Sequence, residues 1–268
     1  MGLILVGCGK MGGAMLEGWL DQGVPKDSIR IIEKSEEHAQ ALRDTHDIRV
    51  VDDLADIEEG FPADIVILAV KPQVMDVAVE AAKRFSDQAT YMSIAAGKTI
   101  SYFEGILGKD ARIVRVMPNT PAAVRRGISV ACANNNVSDT VKETCTQLLE
   151  AVGEVGWVDD EALIDPVTAV SGSGPAYVFY LTECLTQAGI KAGLPDDLAV
   201  KLARATVAGS GELMRQSGIE AEQLRINVTS PGGTTQAALE VLMAEDGIAP
   251  IMENAINAAV QRSRELAG

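Results

Sequence analysis

A chain of 268 residues, 47% of them hydrophobic and 4% aromatic, carries a formal charge of −15 at pH 7. So acidic a protein has no electrostatic footing for nucleic acid or an anionic membrane, and one so long and apolar builds its core without disulfides or metals. Its four cysteines, Cys8, Cys132, Cys145 and Cys184, form no C-x-x-C pair and have no histidine beside them; this excludes a zinc site and reads as reduced thiols in a cytoplasmic protein.

The first apolar run, "LILV" (3–6), is too short for a signal peptide or a membrane span and predicts a strand. Directly after it comes "VGCGKMGG", with Gly7, Gly9 and Gly12 in G-x-G-x-x-G register at the start of the helical stretch "MGGAMLEGWLDQG". Gly7 suits a tight turn, Gly9 lets backbone approach a pyrophosphate, and Gly12 lets helix and strand pack closely. The next strand, "IRII" (29–32), is followed by Glu33 and the helical "EEHAQALRD". An acid at that interval from the glycines completes the dinucleotide pattern. Glu33 suits a ribose 2′-hydroxyl and so NAD, whereas Lys34 and Ser35 suit the 2′-phosphate of NADP; the residues leave this choice open.

Further strands are predicted at "IRVV" (48–51), "DIVILAV" (64–70), "TYMSI" (90–94), "ARIVRVM" (111–117) and "GISVACA" (127–133), with a helix over "QVMDVAVEAAKRF". Strand–helix alternation with near-continuous apolar strands predicts an α/β fold, a Rossmann-type doubly wound parallel sheet over residues 1–160. Three strand exits, "LAVKPQ", "SIAAGKT" and "VMPNTPA", put small or polar residues on the ligand edge, where Pro72 holds Lys71 extended and Asn119 offers an amide.

After "GEVGWVDDEAL" (153–163) the strand signals stop. Residues 161–268 read as an all-α domain, with helices over 174–193, 195–218, a stretch opened by "GGTT" and 249–266. Segments such as "AYVFYLTECL" are apolar nearly all round, which predicts burial against a second subunit. Glu183 in that helix reads as a buried polar anchor in preference to an exposed carboxylate.

Two stretches carry chemistry. "VTSPGGTTQAALEVL" (228–242) places Gly232, Gly233, Thr234 and Thr235 before a helix. This is either a nest of backbone N–H groups able to hold a carboxylate, or a glycine turn with Thr235 as N-cap. "TAVSGSGPAYVF" (168–179) repeats the style, with Pro175 near its helix start. The only two histidines, His38 and His46, lie in a charged helix start and a loop, which argues against a histidine-based alcohol dehydrogenase. A reductase without a proton donor suits an imine: C=N protonates near neutral pH by itself, so the protein has only to position and polarise.

With "VGCGKMGGAM", "LAVKPQ", "SIAAGKTI", "VMPNTPA", "AVSGSGPAYVF" and "VTSPGGTTQAALEVL" in order along its whole length, the chain resembles the Δ1-pyrroline-5-carboxylate reductases, the enzymes of the last step of proline synthesis. The resemblance implies a Rossmann domain and a helical domain that interlocks into homodimers, which assemble into larger rings. It implies NADP(H) or NAD(H) held by Val6, Gly7, Cys8, Gly9, Lys10, Met11 and Gly12, by Ala69, Val70, Lys71 and Pro72, and by Ala95 and Ala96 near the nicotinamide. A cyclic imine carboxylate would meet Val228, Ser230, Gly233, Thr234 and Thr235, with Thr168 and Ser173 nearby and Thr235 foremost in catalysis. Two departures stand out: "VVDDL" replaces the Thr-Asp-Asn common after the third strand, and Ile219 stands where many relatives carry glutamate. A β-hydroxyacid dehydrogenase is disfavoured because "GPAYVFYLTECLTQ" lacks the lysine it needs. A non-catalytic NAD(P) sensor has no use for an intact "SPGGTT".

Overall fold

The apolar runs of the first half align side by side in a computed structural model, which describes residues 1–267. Strands β1 (Gly2–Val6), β2 (Ile29–Ile32), β3 (Val50–Val51), β4 (Ala63–Leu68), β5 (Thr90–Ser93) and β6 (Arg112–Met117) run parallel. Strand β7 (Gly127–Ala133) turns back antiparallel to β6, and β8 (Gly153–Trp157) runs parallel to β7. The order across the sheet is β3-β2-β1-β4-β5-β6-β7-β8. The doubly wound parallel sheet expected from the sequence holds through β6, after which the chain turns back: residues 118–126 are too short a connection for the crossover that a parallel β6–β7 pair needs.

Helices α1 (Lys10–Asp21), α2 (Glu36–His46), α3 (Met75–Ala82), α4 (Ile100–Leu107) and α5 (Asp139–Glu150) return the chain between strands. Alternate residues of β1 feed opposite cores: Leu3 and Leu5 join Trp19, Ile31 and Leu148, while Ile4 and Val6 join Val66, Tyr91 and Phe103. Burial on both faces is why these strands read as continuous apolar runs rather than alternating ones. Trp19, fully buried, donates its indole N–H to the Leu148 carbonyl at 2.8 Å.

These helices differ in how they begin. The side chains of Ser35, Thr99 and Ser138 cap α2, α4 and α5 by accepting N–H groups from His38, Tyr102 and Val141. Helix α1 instead begins at Gly9, which brings no capping side chain.

The chain divides into two compact units, residues 1–172 with those from Val260 onward, and Ser173–Ala259. The change from strands to helices near residue 160 precedes that division, because α6 (Ile164–Val167) and the π turn that extends it over Thr168–Gly172 belong to the first unit. So does the end of α11 (Ile248–Ala267), where Ser263 donates to Asp165 at 2.7 Å.

The second unit contains α7 (Gly174–Lys191), α8 (Asp196–Ser217), α9 (Ala221–Asn227), α10 (Thr234–Leu242) and most of α11. Its large apolar side chains are strongly exposed on the single chain, Tyr180 at 66% and Val241 at 71%, and only Ala199 and Ala203 are buried among its described residues. Helices apolar on several faces need a covering partner. Glu183, expected as a buried anchor, is exposed; nothing within its own unit covers that part of α7.

Candidate active site

The strand order reverses between β1 and β4, and in open α/β sheets that switch point is where ligands settle, outside the carboxyl ends of the strands. Both exits there are motif residues. Gly7 adopts φ +89°, and a Cβ on it would lie 2.8 Å from Val70 Cγ1 and 3.0 Å from the Ala69 carbonyl. A Cβ on Gly12 would come within 2.5 Å of the Gly7 carbonyl, whereas one on Gly9 would meet nothing within 4 Å. Two glycines thus permit close packing, and the third leaves open space. Gly13 is the first residue to bond back, to the Gly9 carbonyl at 2.7 Å. The N–H groups of Lys10, Met11 and Gly12 therefore have no helical acceptor and sit at the positive end of the α1 dipole. This cradle fits a dinucleotide pyrophosphate.

Around it, Cys8 turns its thiol into the core, where burial, with a smaller push from Glu33 and Glu17, raises it to about 12. Only its backbone faces the loop. Val6 is likewise buried, Ala69 and Val70 are half-buried, and Lys71 and Pro72 are exposed. Lys71 is extended, as expected of a residue before proline. Ala95 points into the core and Ala96 is exposed, so Ala95 can meet a ligand only through its backbone. Asn119 is partly committed: its Oδ1 accepts the Ile128 N–H at 2.9 Å and anchors the start of β7.

Glu33 follows β2 and is held against the glycine turn. Its carboxylate accepts the N–H groups of Ser35 at 3.0 Å and Cys8 at 3.4 Å, and His38 Nδ1 lies 3.2 Å away. Lys34 pairs with Asp53 at 3.1 Å.

Within the second unit, α10 also begins without a capping side chain, at Gly233. Neither reading of "GGTT" survives intact. Thr235 is not the N-cap, and only Gly232 takes a positive φ, +71°. The glycine N–H groups are already used, Gly232 by Gln236 Oε1 at 2.7 Å and Gly233 by the Ser230 carbonyl at 3.0 Å. The open donors are one step further on. Ala237 is the first to bond back, to Gly233, which leaves the N–H groups of Thr234, Thr235 and Gln236 for an anion, with the helix dipole behind them. Thr234, Ser230 and Val228 are exposed, Gly233 and Thr235 half-exposed. Gln236, three residues beyond the N-cap, reaches back past it to the Gly232 N–H, so the start of α10 is braced by a side chain without being capped by one.

Thr168 lies in the π turn, a rare element enriched at functional positions; its hydroxyl donates to the Ile164 carbonyl at 2.7 Å, so its oxygen can only accept from a ligand. Ser173 opens α7 without capping it.

One pair lay outside any motif. Arg115 on β6 is 3% exposed and donates from Nη1 to Glu161 Oε1 at 2.7 Å, while its Nε and Nη2 have no partner among the described residues. The same Glu161 oxygen accepts the Ile100 N–H at 2.8 Å, at the start of α4. One carboxylate thereby ties β6 to the loop that carries Ala95 and Ala96.

Comparison with known proteins decides the family. A model described as pyrroline-5-carboxylate reductase dimerisation matches residues 161–266, and one described as NADP oxidoreductase, coenzyme F420-dependent, matches residues 2–97. A pyrroline-5-carboxylate reductase of Pseudomonas aeruginosa is 42% identical over 99% of this chain and 96% of its own, and one of Corynebacterium melassecola is 38% identical over 98% of each. The chain belongs to the pyrroline-5-carboxylate reductase family.

Solved structures of the family agree. A reductase from Coxiella burnetii superposes with a TM-score of 0.93 at 34% identity, covering 99% of this chain and 98% of its own. A Plasmodium falciparum relative with NADP bound gives 0.81 at 30% identity, covering 100% and 98%. Membership makes the chain an NAD(P)-dependent oxidoreductase with a Rossmann-like first part and a dimerising helical second part. Among the described residues no helix is long and apolar enough to cross a membrane.

The glycine cradle yields a direct prediction. Gly12→Ala forces a methyl group toward the Gly7 carbonyl and displaces the turn. The NADH dissociation constant, read by nicotinamide fluorescence, is expected to rise by on the order of tenfold, about 1.4 kcal/mol.

Proposed function

We propose that this chain reduces Δ1-pyrroline-5-carboxylate to L-proline with NAD(P)H, in the cytoplasm, as homodimers assembled into a larger ring. The observation that carries the reading is the start of α10. Three N–H groups and two threonines, with no capping side chain, stand together there. Such a start holds a carboxylate without arginine, which suits an anionic substrate on a protein of charge −15.

When bound in the cradle of Gly7, Gly9 and Gly12, reduced nicotinamide supplies the hydride for the C=N carbon. The rest falls to the chain's own groups. The N–H groups of Thr234, Thr235 and Gln236 bind the substrate carboxylate and fix the ring's orientation, with the Thr235 hydroxyl as a further donor. Val228 gives an apolar side to the ring, and Ser230 holds the loop by accepting from Gly233. Thr168, in the first unit, has its hydroxyl proton committed to the Ile164 carbonyl, which leaves its oxygen as an acceptor. No side chain has to deliver a proton to the ring nitrogen, because the imine takes it from water before reduction. That agrees with His38 being occupied at Glu33. Catalysis then consists of orientation and electrostatic support.

The test is loss of reduced-nicotinamide absorbance with Δ1-pyrroline-5-carboxylate, run with NADPH and NADH in parallel. Turnover with formation of proline supports the assignment. A folded protein that binds cofactor and turns over neither mixture would overturn it and bring the sensor reading forward.

A further inference from the structure

Family membership leaves the choice between the two nicotinamide cofactors open; the corner beside the glycine turn does not. We propose that the adenosine-ribose end of the groove selects a free 2′-hydroxyl, making this chain prefer NADH over NADPH, with Glu33 as the residue that sets the preference. The inference rests on the reductase reading only in taking the β1–β2 corner as the nucleotide site.

Glu33 is firmly held. Its own N–H donates to the Val51 carbonyl at 3.0 Å, which fixes the backbone at the end of β2. Its side chain is 15% exposed. Oε1 accepts the Ser35 N–H, and Oε2 accepts the Cys8 N–H with His38 Nδ1 beside it. A carboxylate so placed keeps an acceptor for a ribose hydroxyl at the edge of the glycine turn. It also occupies the two backbone donors that a 2′-phosphate would need there. A dianionic phosphate would meet the carboxylate within a few ångströms, and neither can neutralise the other.

The nearby cations do not offset this. Arg30 forks onto Glu58, Arg49 reaches the same carboxylate at 3.6 Å, and Arg43 is engaged by Glu36 at 2.9 Å and by the Val50 carbonyl at 3.3 Å. Lys34 faces Asp53, whose carboxyl is lowered first by the Ala55 N–H and then by Lys34. Asp52 and Asp53, from "VVDDL", add further acid to the corner. A guanidinium positioned for bidentate phosphate binding is what NADP sites ordinarily supply. Here each arginine of the corner already has a carboxylate.

The experiment uses the full-length oligomer without substrate. Nicotinamide fluorescence is titrated with NADH and with NADPH for wild type, Glu33→Ser and Glu33→Gln. The wild type is expected to bind NADH at least fivefold more tightly than NADPH. Both substitutions are expected to move that ratio at least fivefold toward NADPH. Glu33→Gln keeps the shape of the side chain and decides the matter if the serine variant does not fold. A wild-type preference below fivefold, or a ratio that moves less than that in the folded variants, overturns the proposal. Turnover with Δ1-pyrroline-5-carboxylate is read separately: tight NADH binding without turnover counts against the reductase reading alone, and turnover with preference for NADPH counts against this inference alone.

Discussion

Replacing Glu161 with alanine is expected to lower the free energy of unfolding by about 3 kcal/mol, whereas replacing its partner, Arg115→Met, is expected to cost under about 1 kcal/mol. The asymmetry comes from where each charge sits. The side chain of Arg115 is 4% exposed and that of Glu161 28%. Removing the carboxylate leaves a guanidinium in the core whose Nε and Nη2 already lack partners among the described residues and whose Nη1 would lose the one it has. Removing the guanidinium leaves a carboxylate that water still reaches and that still accepts the Ile100 N–H at the positive end of α4. Methionine also fills much of the vacated volume. Urea unfolding at pH 7 and fixed protein concentration measures both. Equal losses for the two variants would mean the pair acts as an ordinary ion pair rather than as a neutralised buried charge.

The second large effect concerns α10. Thr235→Ala is expected to lower kcat/KM for Δ1-pyrroline-5-carboxylate by roughly 10- to 100-fold. A hydrogen bond to a charged group is worth about 1.5–3 kcal/mol, and each 1.4 kcal/mol is about tenfold. The NADH dissociation constant should stay within about twofold, because the cradle at Gly7, Gly9 and Gly12 involves none of the α10 residues. Steady-state kinetics and a fluorescence titration on the same preparation separate the two quantities. Weakened cofactor binding with an unchanged KM for substrate would place Thr235 on the cofactor side and sink the assignment.

What could be read from the sequence, and what could not, divides by how local the cause is. The first seven strands were legible because burial on both faces writes itself as an unbroken apolar run. Strand β8 was not among the predicted strands: "GEVGW" is interrupted by Gly153 and Gly156. Its Gly153 pairs directly with Gly127, where a Cβ would run into the Gly127 carbonyl. Gly153, which helps to hide the strand, is also what lets it pack. Helix α5 shows a buried side only through Cys145, Leu148 and Leu149, a face that its polar residues outnumber.

The same holds for the site. The glycine turn after β1 and the glycine-rich start of α10 were legible, since each is one continuous stretch with a backbone requirement. Which N–H groups stay open at α10 was not, because that depends on Gln236 and Ser230 taking the glycine donors first. Glu33 was legible as an acid after β2, but its grip on Cys8 crosses 25 positions. The Arg115–Glu161 pair spans 46. No spacing rule connects Arg115 to Glu161; the sheet does.

The exposed apolar helices of the second unit carry a thermodynamic consequence. A chain whose Tyr180, Val241 and Ile251 face water when it is alone cannot separate reaching its fold from meeting its copy, so the two become one equilibrium. Dilution then acts as a denaturant. A substitution on those faces alters the tolerated concentration of the protein before it alters anything at the cradle. A lone, newly made chain is the most aggregation-prone species in its history, and the acidic surface that repels other macromolecules also slows its collapse onto the wrong neighbours.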